Sequence, residues 1–336
     1  MPMKRMATLA LCVLTAVAAK SASAQEAKLS FTSMSPAGSN NSKFFNEWAQ
    51  KANAQSGGAL KIEVRDGTTL ASFANVYQRV TDDAVQIGWA ILPVLAGRFP
   101  RSEVGTLPFL TDDAVAASAA FWQLYKTGIL DPEYKDIVPL ALVVHTQYQI
   151  HLSKKPKATE DLSGLKIIAF GKTNAKVVEL LGGTPISLGP QDVYEALQRG
   201  TVDGAMISWS SFAPYKLGEV SSYHIEVPFG TTTSAFFMSR AKYDALPPAA
   251  KKALDDNSGE VFSRAVATHL ASEAAKARDP VSQSKDHTIV RLSDAQIAAW
   301  REKTKAAIDE WTKGRPDGEK ALEQYRAIYA KTKAAR

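Results

Sequence analysis

The sequence predicts an α/β fold of two units joined at a hinge, with a long helix connecting them. Three observations lead there. The stretch 161–209 alternates short apolar runs with helical patterns, giving strand–helix–strand–helix–strand, the grammar of an open α/β sheet. Residues 28–89 repeat that grammar without detectable sequence repetition. And 336 residues are too many for one ordinary core.

The elements follow in order. Residues 28–33 (KLSFTS) alternate as a first strand and run into the polar turn 34–40. Phe44, Phe45, Trp48 and Ala52 recur at helical spacing, and Gly57-Gly58 stops that helix. Residues 60–65 (LKIEVR) have period two; a helix through Phe73, Val76, Tyr77 and Val80 precedes a strand at 85–89. A helix is expected at 114–124, an apolar strand at 139–145, and an alternating segment at 149–153. Lys154-Lys155-Pro156 reads as the first crossing between units, within a wider exchange at 145–155; a second exchange is expected at 225–235. In the middle stretch, strands at 165–170, 185–188 and 202–207 flank two helices. Pro190 suits a first helical turn and Gly200 a helix end. Strands at 224–228 and 234–238 lead back to the first unit. Pro247-Pro248 opens one long helix, 249–277, able to span both units. A strand at 287–292, a helix capped by Ser293, and a last polar helix after 314–318 complete the chain.

Residues 1–24 read as a signal peptide: Lys4 and Arg5, an apolar run from Met6 to Ala19, then Ser21-Ala22-Ser23-Ala24. The single cysteine, Cys12, lies inside that run, so the mature chain offers no disulfide, thiol nucleophile or zinc–thiolate site. Lys4, Arg5 and Lys20 leave with the leader, and the formal charge falls from +6 to +3. The remaining charges are dispersed, which argues against a nucleic-acid partner. The five histidines show no metal-ligand spacing, and no G-x-S-x-G elbow or phosphate loop occurs, so no cofactor, metal or catalytic set is expected. Two units closing on a small molecule is a hinge device.

Several segments carry a resemblance. D-L-S-G-L-K-I at 161–167, G-G-T-P-I-S at 182–187, D-V-Y-E-A-L-Q-R-G-T-V-D-G at 192–204, R-F-P-R-S-E-V-G-T-L-P-F-L at 98–110 and Y-D-A-L-P at 243–247 run in one order. Together they resemble the DctP-like solute-binding subunits of TRAP (tripartite ATP-independent periplasmic) transporters. The resemblance implies a two-domain periplasmic binding protein with hinge and long connecting helix. It implies a ligand enclosed at the hinge and delivered to an integral-membrane permease driven by an ion gradient. The expected units are 25–146 with 229–290, and 147–228 with 291–336.

The chain departs from the family pattern where ligand is gripped. The family's carboxylate-binding arginine falls on Ile168, a second basic position on Tyr148, and a polar position on Trp89; Trp209 sits beside another. Two ligand readings stay open. An organic acid, aromatic or bulky, would be held by Lys172 or by hydroxyls and backbone N–H groups around Ser33, Ser35, Asn174 and Ser208. A small amine or neutral alcohol would instead be caged by Trp89, Tyr148 and Trp209 through cation–π attraction. A secreted lyase or isomerase acting on a similar acid is the reading of another class.

Overall fold

The computed structural model describes residues 26–95 and 97–335; the leader reading lies outside these. The chain forms β1 (Ala27–Thr32), α1 (Asn40–Gln55), β2 (Leu60–Arg65), α2 (Val76–Thr81), β3 (Ile87–Ile91), α3 (Ala114–Lys126) and β4 (Ile137–Val144). It then passes to β5 (Tyr148–Leu152), β6 (Lys166–Ile168), α4 (Gly171–Leu180), β7 (Thr184–Ile186), α5 (Val193–Gln198), β8 (Gly204–Ser208) and β9 (Tyr223–Glu226). The last third is β10 (Thr233–Ser239), α6 (Arg240–Asp244), α7 (Pro248–Asp256), α8 (Glu260–Gln283), β11 (Thr288–Arg291), α9 (Asp294–Lys313) and α10 (Gly318–Ala334).

Two sheets result, ordered β2-β1-β3-β10-β4 and β11-β9-β5-β8-β6-β7. In the first, β1 runs parallel to β2 and β3, while β10 is antiparallel to β3 and β4. In the second, β6 is parallel to β7 and β8, and β5 is antiparallel to β8 and β9. Strands buried on both faces read as unbroken apolar runs, as β3 (IGWAI) and most of β10 do. β2, at an edge, alternates: Leu60 and Ile62 are buried, Lys61 and Glu63 exposed. Caps fix the helix starts. Ser39 accepts from Ser42 N at α1, Asp113 from Val115 N and Ala116 N at α3, and Ser293 forms a capping box with Gln296 at α9.

The chain crosses between sheets at 145–147, from β4 to β5, and at 227–232, from β9 to β10. The first crossing precedes Lys154–Pro156, which lie after β5 within the second sheet's unit. β4 and β5 are nearly contiguous, so three residues suffice to change sheets. The long helix expected at 249–277 is two helices. Between α7 and α8, Gly259 takes φ +77° and ψ −145°, and its N–H donates to Leu140 O at 2.7 Å instead of continuing the helical ladder. That conformation is open essentially to glycine alone. α8 then runs on to Gln283, with Phe262, Val266 and Leu270 in the first core and Val281 in the second.

The C-terminal region also bridges the two cores. In α9, Trp300 and Ala307 pack in the second core and Trp311 in the first. α10 lies on α3: Tyr325 Oη donates to Ala117 O at 3.1 Å and Thr332 Oγ1 to Ala116 O at 3.0 Å. Residues after Trp311 therefore pack with the first sheet, whereas the sequence reading groups them with the second. α10 buries Ala321, Leu322, Tyr325, Tyr329 and Thr332 along its length, and that period alone does not say which core it covers.

Candidate functional site

The strand ends of both sheets converge on one enclosed space at the crossings. Trp89, on β3, forms one wall. Its ring lies parallel to Phe236 (centroids 5.6 Å, 5°) and to His145 (6.3 Å, 7°), with Phe73 edge-on at 5.6 Å. Tyr148 opens β5, opposite Ser208 at the end of β8, and its ring meets Phe170 edge-on at 6.2 Å. These side chains line a cavity of about 40 Å³, room for a few water positions in this conformation. Asn41 from α1, Leu270 from α8 and Tyr215 from the loop after β8 close it. Phe170, Pro190 and Ser208 mark the carboxyl ends of β6, β7 and β8, where open α/β sheets bind ligands.

Its floor is the pair of crossing segments. His145 N donates to Thr232 O at 3.0 Å, Tyr148 N to Gly230 O at 2.8 Å, and Thr231 Oγ1 to His145 O at 2.8 Å. Trp89 Nε1, a buried group on a lining residue, has no hydrogen-bond partner among the described residues, while the Thr232 hydroxyl interacts with that of Tyr148. An indole N–H can only donate, so an acceptor brought beside it would satisfy it. Ser208 and Ser210 share a 2.6 Å hydroxyl contact, and His145 Nε2 lies 2.8 Å from Ser234 Oγ. Burial drives the His145 pKa down to about 4, which leaves the imidazole neutral. It also pushes the Tyr148 and Tyr215 hydroxyls up, so both stay protonated. Among the described residues no Asp, Glu, Lys or Arg lines the cavity.

Of the sequence candidates, Trp89, Tyr148 and Ser208 meet here. The others lie elsewhere. Trp209 turns into the second core, against His151 (4.5 Å), Phe212 (4.7 Å) and His224 (5.0 Å), and its Nε1 donates to Glu226 Oε1 at 3.0 Å. Trp209 follows the end of β8 and opens a 3₁₀ turn, Trp209–Ser211, that carries its ring into this core. Lys172 lines a separate groove of about 830 Å³, which shares only Phe73 and Phe170 with the cavity. Asn174 ties α4 to the hinge through Phe170 O (3.0 Å) and Thr231 O (3.2 Å). Ser33 Oγ donates to Asp66 Oδ1 at 2.8 Å, and Ser35 folds back on Ser33. Ile168 is wholly buried in the second core. The sequence reading missed His145, Thr232, Asn41 and Tyr215 as lining residues. His145 and Thr232 fall inside the two expected exchanges, so a search for polar residues at the crossings would have found them. Asn41 and Tyr215 carry no local signal.

Elsewhere, His151 Nδ1 lies 2.9 Å from His224 Nδ1, and His224 Nε2 lies 3.1 Å from His287 Nδ1. No group of three or more His, Cys, Asp or Glu among the described residues is placed to hold a metal ion, and no described helix is long and apolar enough to cross a membrane.

Known proteins share this architecture. A TRAP solute binding protein from Rhodoferax ferrireducens T118, solved with copurified benzoate, superposes with a TM-score of 0.87 at 30% identity, covering 92% of this chain and 99% of its own. A marine metagenome TRAP solute binding protein specific for aromatic acid ligands, solved with metahydroxyphenylacetate, gives 0.86 at 29%, covering 91% and 99%. The C4-dicarboxylate-binding periplasmic protein DctP of Rhodobacter capsulatus is 26% identical over 275 residues, 79% of this chain and 80% of that protein. The family model for bacterial extracellular solute-binding proteins, family 7 (DctP), matches residues 31–314. With its two sheets, hinge crossings and bridging helix α8, the chain belongs to this DctP family of TRAP solute-binding proteins.

Proposed function

We propose that this chain is a periplasmic receptor, exported by the leader 1–24, that captures a small aromatic carboxylic acid and hands it to a TRAP membrane permease. One observation carries the reading: a cavity at the hinge, walled by Trp89, Phe73, Tyr148 and Phe170, whose unpartnered indole N–H can only donate. A donor-only group suits an acceptor such as a carboxylate and opposes an ammonium. The rings suit a planar ligand, and the relatives at 29–30% identity bind benzoate and metahydroxyphenylacetate. The periplasmic setting and the permease follow the family. A lyase or isomerase would need a base poised near neutrality. Among the lining residues the candidate base is His145, and a pKa near 4 makes it a poor one.

The test is thermal shift of purified mature protein against benzoate, 3-hydroxybenzoate and phenylacetate, with benzylamine and benzyl alcohol alongside. A ligand at a hundredfold excess over its Kd adds about 2.7 kcal/mol. Acids should raise the Tm and the amine and alcohol should not. Stabilisation by the amine alone overturns the ligand class. Turnover of a bound acid overturns the receptor role, and so does a flat response to every small molecule.

A further inference from the structure

A carboxylate leaving water needs a counter-charge or a full set of hydrogen bonds. Among the described residues no lysine or arginine lines this cavity, and Ile168 occupies the position where the family resemblance expects the arginine. One lining side chain can become a cation. His145 is 6% exposed, sits on the hinge crossing and lies parallel to Trp89, the ring whose N–H lacks a partner. Its Nε2 lies 2.8 Å from Ser234 Oγ. Among the described residues, no carboxylate, lysine or arginine lines the cavity around it. β3 presents Trp89, β10 Ser234 and the second crossing Thr232; β5 and the loop after β8 bring only the phenols Tyr148 and Tyr215. From α8, His269 points its Nε2 to Asn41 Oδ1 at 2.8 Å. Burial alone acts on the empty imidazole and holds it neutral.

We propose that His145 is the ligand's charge partner, so that the cavity takes a monocarboxylate together with one proton carried on the imidazole. This rests on reading the site as an acid receptor. The proton balance is simple. At neutral pH the empty site is uncharged and the acid is ionised, so one proton enters from solvent for each ligand bound. In the complex Nε2–H donates to Ser234 Oγ, and Nδ1–H is free to donate to the carboxylate beside Trp89 Nε1. A single imidazolium neutralises a single carboxylate, which sets this site apart from a dicarboxylate receptor.

Titration calorimetry of the purified chain with benzoate tests this. Measurements at pH 7 in phosphate and in Tris, buffers of unlike ionisation enthalpy, count the protons taken up. About one proton per ligand is expected, with Kd rising about tenfold per pH unit between pH 6 and 8. In H145N the uptake should vanish, the pH dependence should flatten, and affinity at pH 6 should fall at least tenfold. The proton count of the unaltered protein decides the matter even if the variant fails to fold. Benzoate bound with no proton uptake overturns the role of His145 and leaves the acid-receptor reading standing. No binding by any carboxylate overturns both.

Discussion

Trp89, in the middle of β3, and Trp209, just past the end of β8, are the same residue type, and their surroundings assign them different work. Trp89 keeps a buried N–H without a partner, so replacing it with phenylalanine preserves most of the stacking on Phe236 and removes only the donor. Trp89→Phe should weaken binding of an aromatic acid roughly ten- to a hundredfold, the loss of one hydrogen bond to a charged group, and leave the unliganded Tm nearly unchanged. Calorimetry and melting curves on the same samples separate the two effects. Trp209→Ala should do the reverse. It vacates a packed site against His151, Phe212 and His224 and frees Glu226 from one donor, a loss of about 3–5 kcal/mol, with the Kd within about twofold. An unchanged denaturation midpoint for Trp209→Ala would count against that packing role. At this scale the sequence was half legible. Motif alignment located Trp89 and Tyr148 at family positions, and Ser208 was found from its place at the carboxyl end of a strand. It did not reveal which face of the chain Trp209 uses, since a single residue of register past β8 decides that.

Among the elements, strands were the most legible: LKIEVR alternates and IGWAI does not, and each pattern states how many faces are covered. Helix continuity was less so, because a break depends on what meets the backbone. Gly259 illustrates this. A Cβ there would lie 3.1 Å from Trp122 Cζ2, on a backbone at φ +77°. Gly259→Ala should therefore cost about 1–3 kcal/mol in urea denaturation, whereas an alanine in an ordinary helix interior would stabilise relative to glycine. A stabilising effect would mean that α7 and α8 can fuse. Gly171 has a related constraint between units. Its φ is +84°, and a Cβ would stand 2.3 Å from Pro93 Cβ, so the start of α4 comes against the first unit only as glycine. Gly171→Ala should force these two segments apart and lower acid affinity, because Phe170 and the cavity wall move with α4.

For the whole molecule, buried neutral histidines tie stability to pH, and the same linkage couples stability to ligand. His145 and His224 have pKa values lowered to about 4 and about 3, and His151 is lowered as well, all chiefly by burial. Unfolded, each takes up a proton near pH 6.5; folded, each resists until far lower. Their contribution is fully present above pH 6.5 and is lost as pH falls, toward about 4 for His145 and about 3 for His224. Glu226, raised by burial but brought below the usual range by its hydrogen bonds to Arg278 and Arg291, adds a loss at more acid pH; Glu103 and Glu133, raised by burial, act in the opposite sense. The net expectation is a urea midpoint that declines steadily from pH 7 to pH 5, and more shallowly in His145→Asn. A flat profile would show that these rings are not held neutral. Benzoate should behave oppositely. Because binding draws one proton from solvent onto His145, the stabilisation at fixed benzoate concentration grows as pH falls across the range where the empty protein weakens. The gap between liganded and unliganded midpoints should then be wider at pH 6 than at pH 8. The two slopes have a common origin in one imidazole at the crossing between sheets, uncharged when the cavity is empty and charged when it is filled.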